Sequence, residues 1–403
     1  MLDILVAGGG YVGLSVAVSI KKAAPHLNVM VADGAPEGAW QRDGRASAIA
    51  AAASRMLTAL GLWDEMLPHA QPINKMIITD SRTSDPVRPV FLTFDGEVGK
   101  DEPFAHMIPN PAMIGPLLKA ASELGVEMKF STSVETFSAG PVSVSAKLST
   151  GETVEARLLV ACDGAKSRLR DIAGIKTVHW DYGQSGIVTT VEHERPHDGV
   201  AEEHFLPAGP FAILPLPGNR SSLVWTERTA DADKLVAADD LVFEEELERR
   251  FGHKLGPIRA VGGRRAFPLG LTLARAFVAN RIALAGDSAH GIHPISGQGL
   301  NLGFKDVAAL AETIVDADRL GLDIGALNVL ERYQSWRRFD TFRMGVTTDV
   351  LNRLFSNDIT PIRIARDFGL GVVDRMPRLK NFFIKQASIA TGADPKLLGG
   401  EMP

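Results

Sequence analysis

Short uninterrupted apolar runs alternate along this chain with stripes of helical period. Residues 4–7 form one such run, and it ends in Gly8-Gly9-Gly10-Tyr11-Val12-Gly13. Leu14, Val16, Ala17, Val18 and Ile20 then give a wide apolar helical face that closes near Pro25. Residues 28–32 read as a second buried strand, ending at Asp33. Strand, tight turn, helix and strand in this order predict a βαβ unit with parallel strands. The pattern loosens from 34 to 105, with a helix expected over 54–60. At Asn110-Pro111 another helix begins, with Asn as N-cap and Pro at the first helical position. Met113, Ile114, Leu117 and Leu118 supply its stripe and Gly125 ends it, before strands over 126–130, 142–148 and 156–161.

From about 175 to 275 the texture changes to short β-like runs (186–191, 212–216, 222–226) broken by Pro and Gly, with a charged helix over 241–251. This predicts a second, antiparallel sheet inserted into the first unit. Residues 282–285 return to a buried strand, and helices follow over 302–315, 326–346 and in shorter pieces to the end. The pattern contains no internal repeat.

Composition narrows the picture. A chain of 403 residues is long for one core, so two interleaved domains are expected. The formal charge of -5 argues against a nucleic-acid partner, which leaves a basic footprint. No apolar run approaches the roughly 18 residues of a membrane span, and Met1 to Val6 lacks a basic leader region. Cys162 is the single cysteine, which excludes an internal disulfide and a multi-cysteine zinc site. A cytoplasmic, reducing location is the expectation.

Three motifs carry chemistry. In the first, Gly8 permits a tight turn, Gly10 lets the backbone approach a pyrophosphate, and Gly13 allows close helix–strand packing. The helix start favours phosphate, and Asp33, twenty residues beyond Gly13, is placed to bind ribose hydroxyls. At this point NAD and FAD are not distinguished. The second motif ends an apolar strand in Asp163-Gly164, with Ser167 and Arg170 opening a helix. The third runs Gly286-Asp287-Ser288-Ala289-His290, then His293-Pro294-Ile295-Ser296-Gly297-Gln298-Gly299-Leu300-Asn301, then Asp306. Asp287 is suited to a sugar-alcohol chain, and the amides around 299–301 to negative charge on a ligand ring. His290 and His293 lack a third ligand at metal spacing, so no metal is expected.

In this order and at these distances the motifs resemble those of the single-component, group A flavin-dependent aromatic hydroxylases. The resemblance implies an α/β fold: a Rossmann-like FAD-binding domain of the p-hydroxybenzoate hydroxylase type, an inserted antiparallel-sheet substrate domain and a helical C-terminal region. The boundaries expected are 1–75, 105–175 and 276–345 for the FAD domain, 76–104 and 176–275 for the substrate domain, and 346–403 for the C-terminal helices. It assigns Asp33 to the ribose, Asp163 and Gly164 to FAD and the nicotinamide donor, and Gly286 and Asp287 to the ribityl chain and phosphate. Pro294, Gly297, Gly299, Leu300 and Asn301 match the loop beside the isoalloxazine ring, while Arg45 and Asn110 match residues near the cofactor.

Within that group, the stretch from His293 to Asp306, the segments 205–216 and 265–269, and Thr348-Asp349 with Leu351, Leu354 and Phe355 look like the ubiquinone-biosynthesis hydroxylases. Ser288 departs from the usual Ala, and Pro109-Asn110-Pro111 is a stiffer helix entry than the family's. The resemblance implies FAD, NAD(P)H or another electron donor, and O2, with a flavin hydroperoxide hydroxylating the ring of a polyprenylated phenol. Phe205, Phe211, Leu214 and Pro215 are candidate pocket walls, and His290 is a candidate for proton transfer or for a structural hydrogen bond. Apolar and basic residues interleaved over 351–385 suggest peripheral membrane contact, and a biosynthetic complex is a further expected partner. Hydroxylation of a small soluble phenol, flavin-dependent reduction of an isoprenoid, a non-catalytic flavin-binding scaffold and a nicotinamide dehydrogenase remain as alternatives.

Overall fold

The structure is a computed structural model and describes residues 1–81, 90–95, 97–99, 102–293, 295–356 and 394–403. Two large sheets organise it. In the first, the strand order is Glu127–Lys129, Val29–Ala32, Leu2–Ala7, Thr153–Ala161, Val144–Leu148 and Val134–Ala139. The first four run parallel and Ile282–Leu284 adds a further parallel strand beside 159–161. Their apolar residues are buried throughout: Ile4, Leu5, Val6, Leu158, Leu159 and Val160 are all 0% exposed. Uninterrupted apolar runs are what a parallel sheet covered on both faces requires. The expected βαβ unit is present, with helix Tyr11–Ala23 between its strands.

The second sheet runs His290–Gly291, Arg265–Ala274, Thr177–His193, Arg220–Arg228, Gly209–Leu216, Val200–Leu206, Lys75–Asp80 and Val90–Asp95. It departs from an all-antiparallel sheet at one place, where Val200–Leu206 and Lys75–Asp80 pair parallel. Those two strands come from distant stretches of chain, so no hairpin constrains their sense. One face is sealed by helices Thr229–Ala237 and Asp240–Phe251 over a core of Ile187, Phe211, Trp225, Phe243 and Leu247. Alternation along Gly209–Leu216 sends Phe211 and Ile213 into that core, and Leu214 and Leu216 to the opposite face.

Two helices tie the sheets together. Gln298–Arg319 packs beside Tyr11–Ala23, where a Cβ on Gly303 would come within 2.7 Å of Val12 Cγ2. Leu327–Phe355 is one 29-residue helix, longer than the pattern predicts, and continues across the second sheet. Its Gly345 lies over Leu271 and Leu273, and Phe355 stacks on Phe205 at 4.3 Å between centroids. The helix expected to start on an Asn110 cap instead has Pro109 as N-cap and Asn110 as its first residue. The Asn110 side chain is drawn away from the helix end by Asp43 and Ser47.

The second core hangs on Trp225, which is fully buried, donates from Nε1 to Glu227 at 2.9 Å and lies under the Arg250 guanidinium at 4.6 Å. Trp225→Ala is expected to cost about 3–5 kcal/mol in urea unfolding, mainly through the cavity, since Glu227 keeps its ion pair with Arg250 at 2.9 Å.

Candidate functional site

Register in the parallel sheet brings the three motifs to one edge. Ala7 pairs with both Ala32 and Ala161, and Ala161 pairs with Leu284. The residues that follow these strand ends, Gly8, Asp33, Asp163 and Gly286, therefore line up at the carboxyl side, where open α/β sheets bind ligands. Gly8 has φ +107 and a Cβ there would stand 2.3 Å from the Cys162 carbonyl oxygen. A Cβ on Gly13 would be 1.9 Å from the Gly8 carbonyl oxygen, so the close packing expected of it is physical. At Gly10 a Cβ would meet nothing within 4 Å, so the backbone there faces outward.

Asp33 accepts from the Ala35 amide at 3.0 Å through Oδ1, and its Oδ2 lies over Gly9, where a Cβ would come within 2.7 Å. Gly9 is thus required by the carboxylate beside it, a contact that spacing alone does not reveal. Asp163 Oδ2 accepts from the Leu169 amide at 3.3 Å, and Gly164 has φ +84. The helix expected after this motif forms, with Ser167 accepting from the Arg170 amide at 3.0 Å. Arg170 itself is buried and donates to the Ser288 carbonyl at 3.1 Å, joining the second motif to the third.

The Gly-Asp turn is held from behind. The Ser288 hydroxyl accepts from the Ala285 amide at 3.1 Å and lies 2.7 Å from the Ala161 carbonyl, to which it can donate. The Ser288 hydroxyl therefore cross-links two strand ends. Asp306 is fully buried, accepts from the Gly286 amide at 2.9 Å, contacts His290 Nε2 at 2.6 Å and takes Arg337 Nε at 2.7 Å. Burial alone would raise its pKa, but His290 and Arg337 hold it below the ordinary carboxylate range. His290 is 1% exposed and its ring stands 6.0 Å from that of Phe277, so the structure places it within this clamp.

Asp287 points the other way. Its side chain is exposed, yet enough protein surrounds it that desolvation pushes its pKa up, with His290 and Arg45 opposing. Both observations hold for a carboxylate on the wall of a deep groove. It accepts no hydrogen bond among the described residues. Arg45 is held by Asp43 through Nε and Nη2, both at 2.8 Å, and lies 5.6 Å from the Phe267 ring of the second sheet. Asp43 also accepts from Asn110 Nδ2 at 2.9 Å and from the Tyr11 hydroxyl at 3.3 Å. Despite the penalty of burial, Arg45 and Asn110 keep the Asp43 carboxyl far below its usual range. Asp43 was not singled out from the sequence. A carboxylate two residues before Arg45 is the available signal, and its partners lie 32 and 67 residues away.

In the loop that follows, Gly297 is left-handed (φ +62) and caps Gln298–Arg319 without a side-chain bond or an acid in the first turn. Asn301 is spent on the protein: Nδ2 donates to Ala48 and Gly297, and Oδ1 accepts from Ala50. Gly299 has open space where a Cβ would be, and Leu300 is half-buried. Pro294 lies outside the described residues. Of the pocket candidates, Phe205 and Leu214 share the sheet face turned toward the long helix, with Leu214 packed near Ala46 and Ala48. Phe211 lies on the opposite face in the Trp225 core, and alternation puts the buried Pro215 on that side too.

Two helix starts without a side-chain cap, with Asp287 and one free oxygen of Asp33, suit a phosphate-rich dinucleotide with sugar hydroxyls. They define a dinucleotide-binding class, and comparison with known proteins makes the dinucleotide FAD. Residues 1–333 match the FAD binding domain family. The ubiquinone hydroxylase UbiL of Rhodospirillum rubrum is 46% identical across 100% of this chain and 93% of its own length. The 3-demethoxyubiquinol 3-hydroxylase of Escherichia coli is 32% identical, with 96% of this chain and 98% of that protein covered. In structure, p-nitrophenol 4-monooxygenase PnpA of Pseudomonas putida superposes with a TM-score of 0.78 at 21% identity, over 97% of this chain and 99% of that one. The chain belongs to the ubiquinone-biosynthesis hydroxylase family of FAD-dependent monooxygenases. Among the described residues no helix is long and apolar enough to cross a membrane.

Two outcomes follow from this geometry. Asp306→Ala leaves Arg337 buried without its main partner and is expected to cost about 3–5 kcal/mol in denaturant unfolding. His293, 0% exposed with neither ring nitrogen hydrogen-bonded among the described residues, has its pKa pushed down by burial from 6.5 to about 4. The unfolded chain therefore takes up this proton first, so stability is full above about 6.5 and is lost as pH falls toward about 4. Between pH 7 and 5 the wild type should lose about 2 kcal/mol more than His293→Leu, as read by urea unfolding at each pH.

Proposed function

We propose that this chain hydroxylates the aromatic ring of a polyprenylated phenol in ubiquinone biosynthesis. The observation that carries the reading is the 46% identity to a ubiquinone hydroxylase over the entire chain, on a site whose polar groups fit FAD. The helix start at Gly10 would take the pyrophosphate, Asp33 the adenosine ribose, and Asp287 the ribityl chain. Asp163 and Gly164 stand beside them, and the loop 297–301 would lie along the isoalloxazine ring. Bound FAD supplies the oxygen activation, with O2 as co-substrate and NAD(P)H or another donor as the source of electrons.

The chain's own residues bind, orient and exclude water. Arg45, fixed by Asp43 at 2.8 Å, presents its guanidinium near Asp287 and Phe267. Phe205 and Leu214 belong to the face we assign to the substrate ring. His290 serves as a clamp on Asp306, since its Nε2 is committed there. We assign 1–75, 105–175 and 276–345 to the cofactor unit and 76–104 with 176–275 to the substrate unit. The C-terminal part, 346–403, completes the chain, although most of its apolar and basic residues lie outside the described ones.

The test is a visible-absorbance titration with FAD. Wild type should perturb the flavin spectrum, and Asp287→Ala should bind at least about tenfold more weakly through lost hydrogen bonds to the ribityl chain. Oxygen uptake coupled to a prenylated phenol, with hydroxylated product by mass spectrometry, then separates a monooxygenase from an isoprenoid reductase or a scaffold. Flavin binding without coupled uptake on any prenylated phenol sinks the reading.

A further inference from the structure

The long helix Leu327–Phe355 has two apolar sides. One, through Tyr333, Thr341, Met344, Gly345 and Thr348, is buried against the sheets. The other carries Phe339, Phe342, Val346 and Val350, at spacings of three and four residues, and stays in water. Phe339 is 74% exposed and Phe342 58%. Such spacing puts the four on one face, and the twelve residues from Phe339 to Val350 extend that face over about 16 Å. Between it and the edge of the second sheet runs a groove of about 910 Å³, walled by Val178, Trp180, Leu273, Phe277, Phe342 and Val346. That volume is in the range of ligand sites, and isolated soluble chains seldom keep two phenylalanines exposed on a continuous apolar stripe.

The charge of this face is opposite to that of the whole chain, which is -5. Lys176, Arg275 and Arg338 are exposed, and none forms an ion pair among the described residues. Arg275 and Lys176 are joined by a backbone hydrogen bond of 2.8 Å, so two of these cations sit side by side. Among the described residues that line the groove, Glu331 is the one carboxylate. Nearby Arg343 is already neutralised by Asp340 at 3.1 Å. An apolar protein partner would leave three cations unanswered. An anionic bilayer answers both features, taking aromatic side chains into the headgroup boundary and drawing Lys and Arg to lipid phosphate.

We propose that this face, the outer stripe of the long helix with its groove and the cations Lys176, Arg275 and Arg338, docks on an anionic lipid surface. Docking there places the groove beside the cofactor loop. Leu273 on its floor pairs in register with His290, and Thr272 with Gly291, at the start of the segment leading to Gly297. On the other side Trp180 donates to Asp349 at 2.9 Å, and Tyr182, two residues on, packs edge-on against His293 at 5.4 Å. A hydrocarbon chain leaving the bilayer through this groove ends one strand from the flavin loop. The delivery of substrate rests on the function proposed above, whereas lipid docking does not.

The experiment is co-sedimentation of the full FAD-loaded chain with vesicles of phosphatidylglycerol and phosphatidylcholine, against phosphatidylcholine alone. Wild type is expected to sediment with the anionic vesicles and to be released at about 0.5 M salt. The doubles Phe339→Ser/Phe342→Ser and Arg275→Glu/Arg338→Glu should each lower partitioning at least about tenfold, with flavin absorbance and circular dichroism unchanged. Wild type that stays in the supernatant, or binds both vesicle types equally, overturns the proposal. So do variants that sediment like wild type, or that turn an oligomer into a monomer, which would assign the face to a second copy. Oxygen uptake on detergent-dispersed phenol is measured in parallel: its absence with vesicle binding intact counts against the proposed function alone.

Discussion

A carboxylate sealed from water must have its charge answered by the protein, and Asp306 is where this fold meets that demand. Its two oxygens take the Gly286 amide, His290 and Arg337. Those partners belong to the Gly-Asp turn, to the edge strand of the second sheet and to the long C-terminal helix, while Asp306 itself rides on Gln298–Arg319. Four elements thus converge on one side chain. A buried ion pair gives little net stability after desolvation, but removing one member leaves a charge with nowhere to go. What the arrangement secures is position: the turn bearing Asp287 cannot shift without breaking the pair.

The same economy explains which glycines are needed. Gly8 and Gly13 stand where a Cβ would collide with backbone oxygen, and Gly9 where it would collide with Asp33. Gly10 collides with nothing, so no contact within the chain accounts for its lack of a side chain. Local crowding and outward clearance are separate reasons for the same residue type, and the coordinates separate them within six positions.

Features set by neighbours in sequence were legible beforehand. The βαβ start, the Ser167 cap and the carboxylates Asp33, Asp163 and Asp287 follow from spacing and strand ends. The failures share a cause as well. Asn110 satisfies every local rule for an N-cap, yet Asp43 and Ser47, 67 and 63 residues away, compete for its side chain and win. Phe211 and Leu214 look alike as pocket walls until strand parity sends them to opposite faces. The parallel pairing of Lys75–Asp80 with Val200–Leu206 joins segments with no short connection, and no periodicity encodes it.

Hydrogen-bond capacity offers a way to divide the polar groups of such a site into those that serve the protein and those with capacity left for a ligand. Asn301, Ser288 and Asp306 have their polar side-chain atoms engaged within the chain. They hold the walls. Asp287 accepts nothing among the described residues, Asp33 uses one oxygen, and the helices after Gly10 and Gly297 start without a side-chain cap. These groups have bonds left to make, and Asp33, Asp287 and the helix start after Gly10 lie along a single sheet edge. Motif matching treats Asn301 and Asp287 alike. The distribution of spent and unspent partners distinguishes them, because a buried polar group left unpaired costs stability while one facing a groove keeps its capacity for whatever binds there.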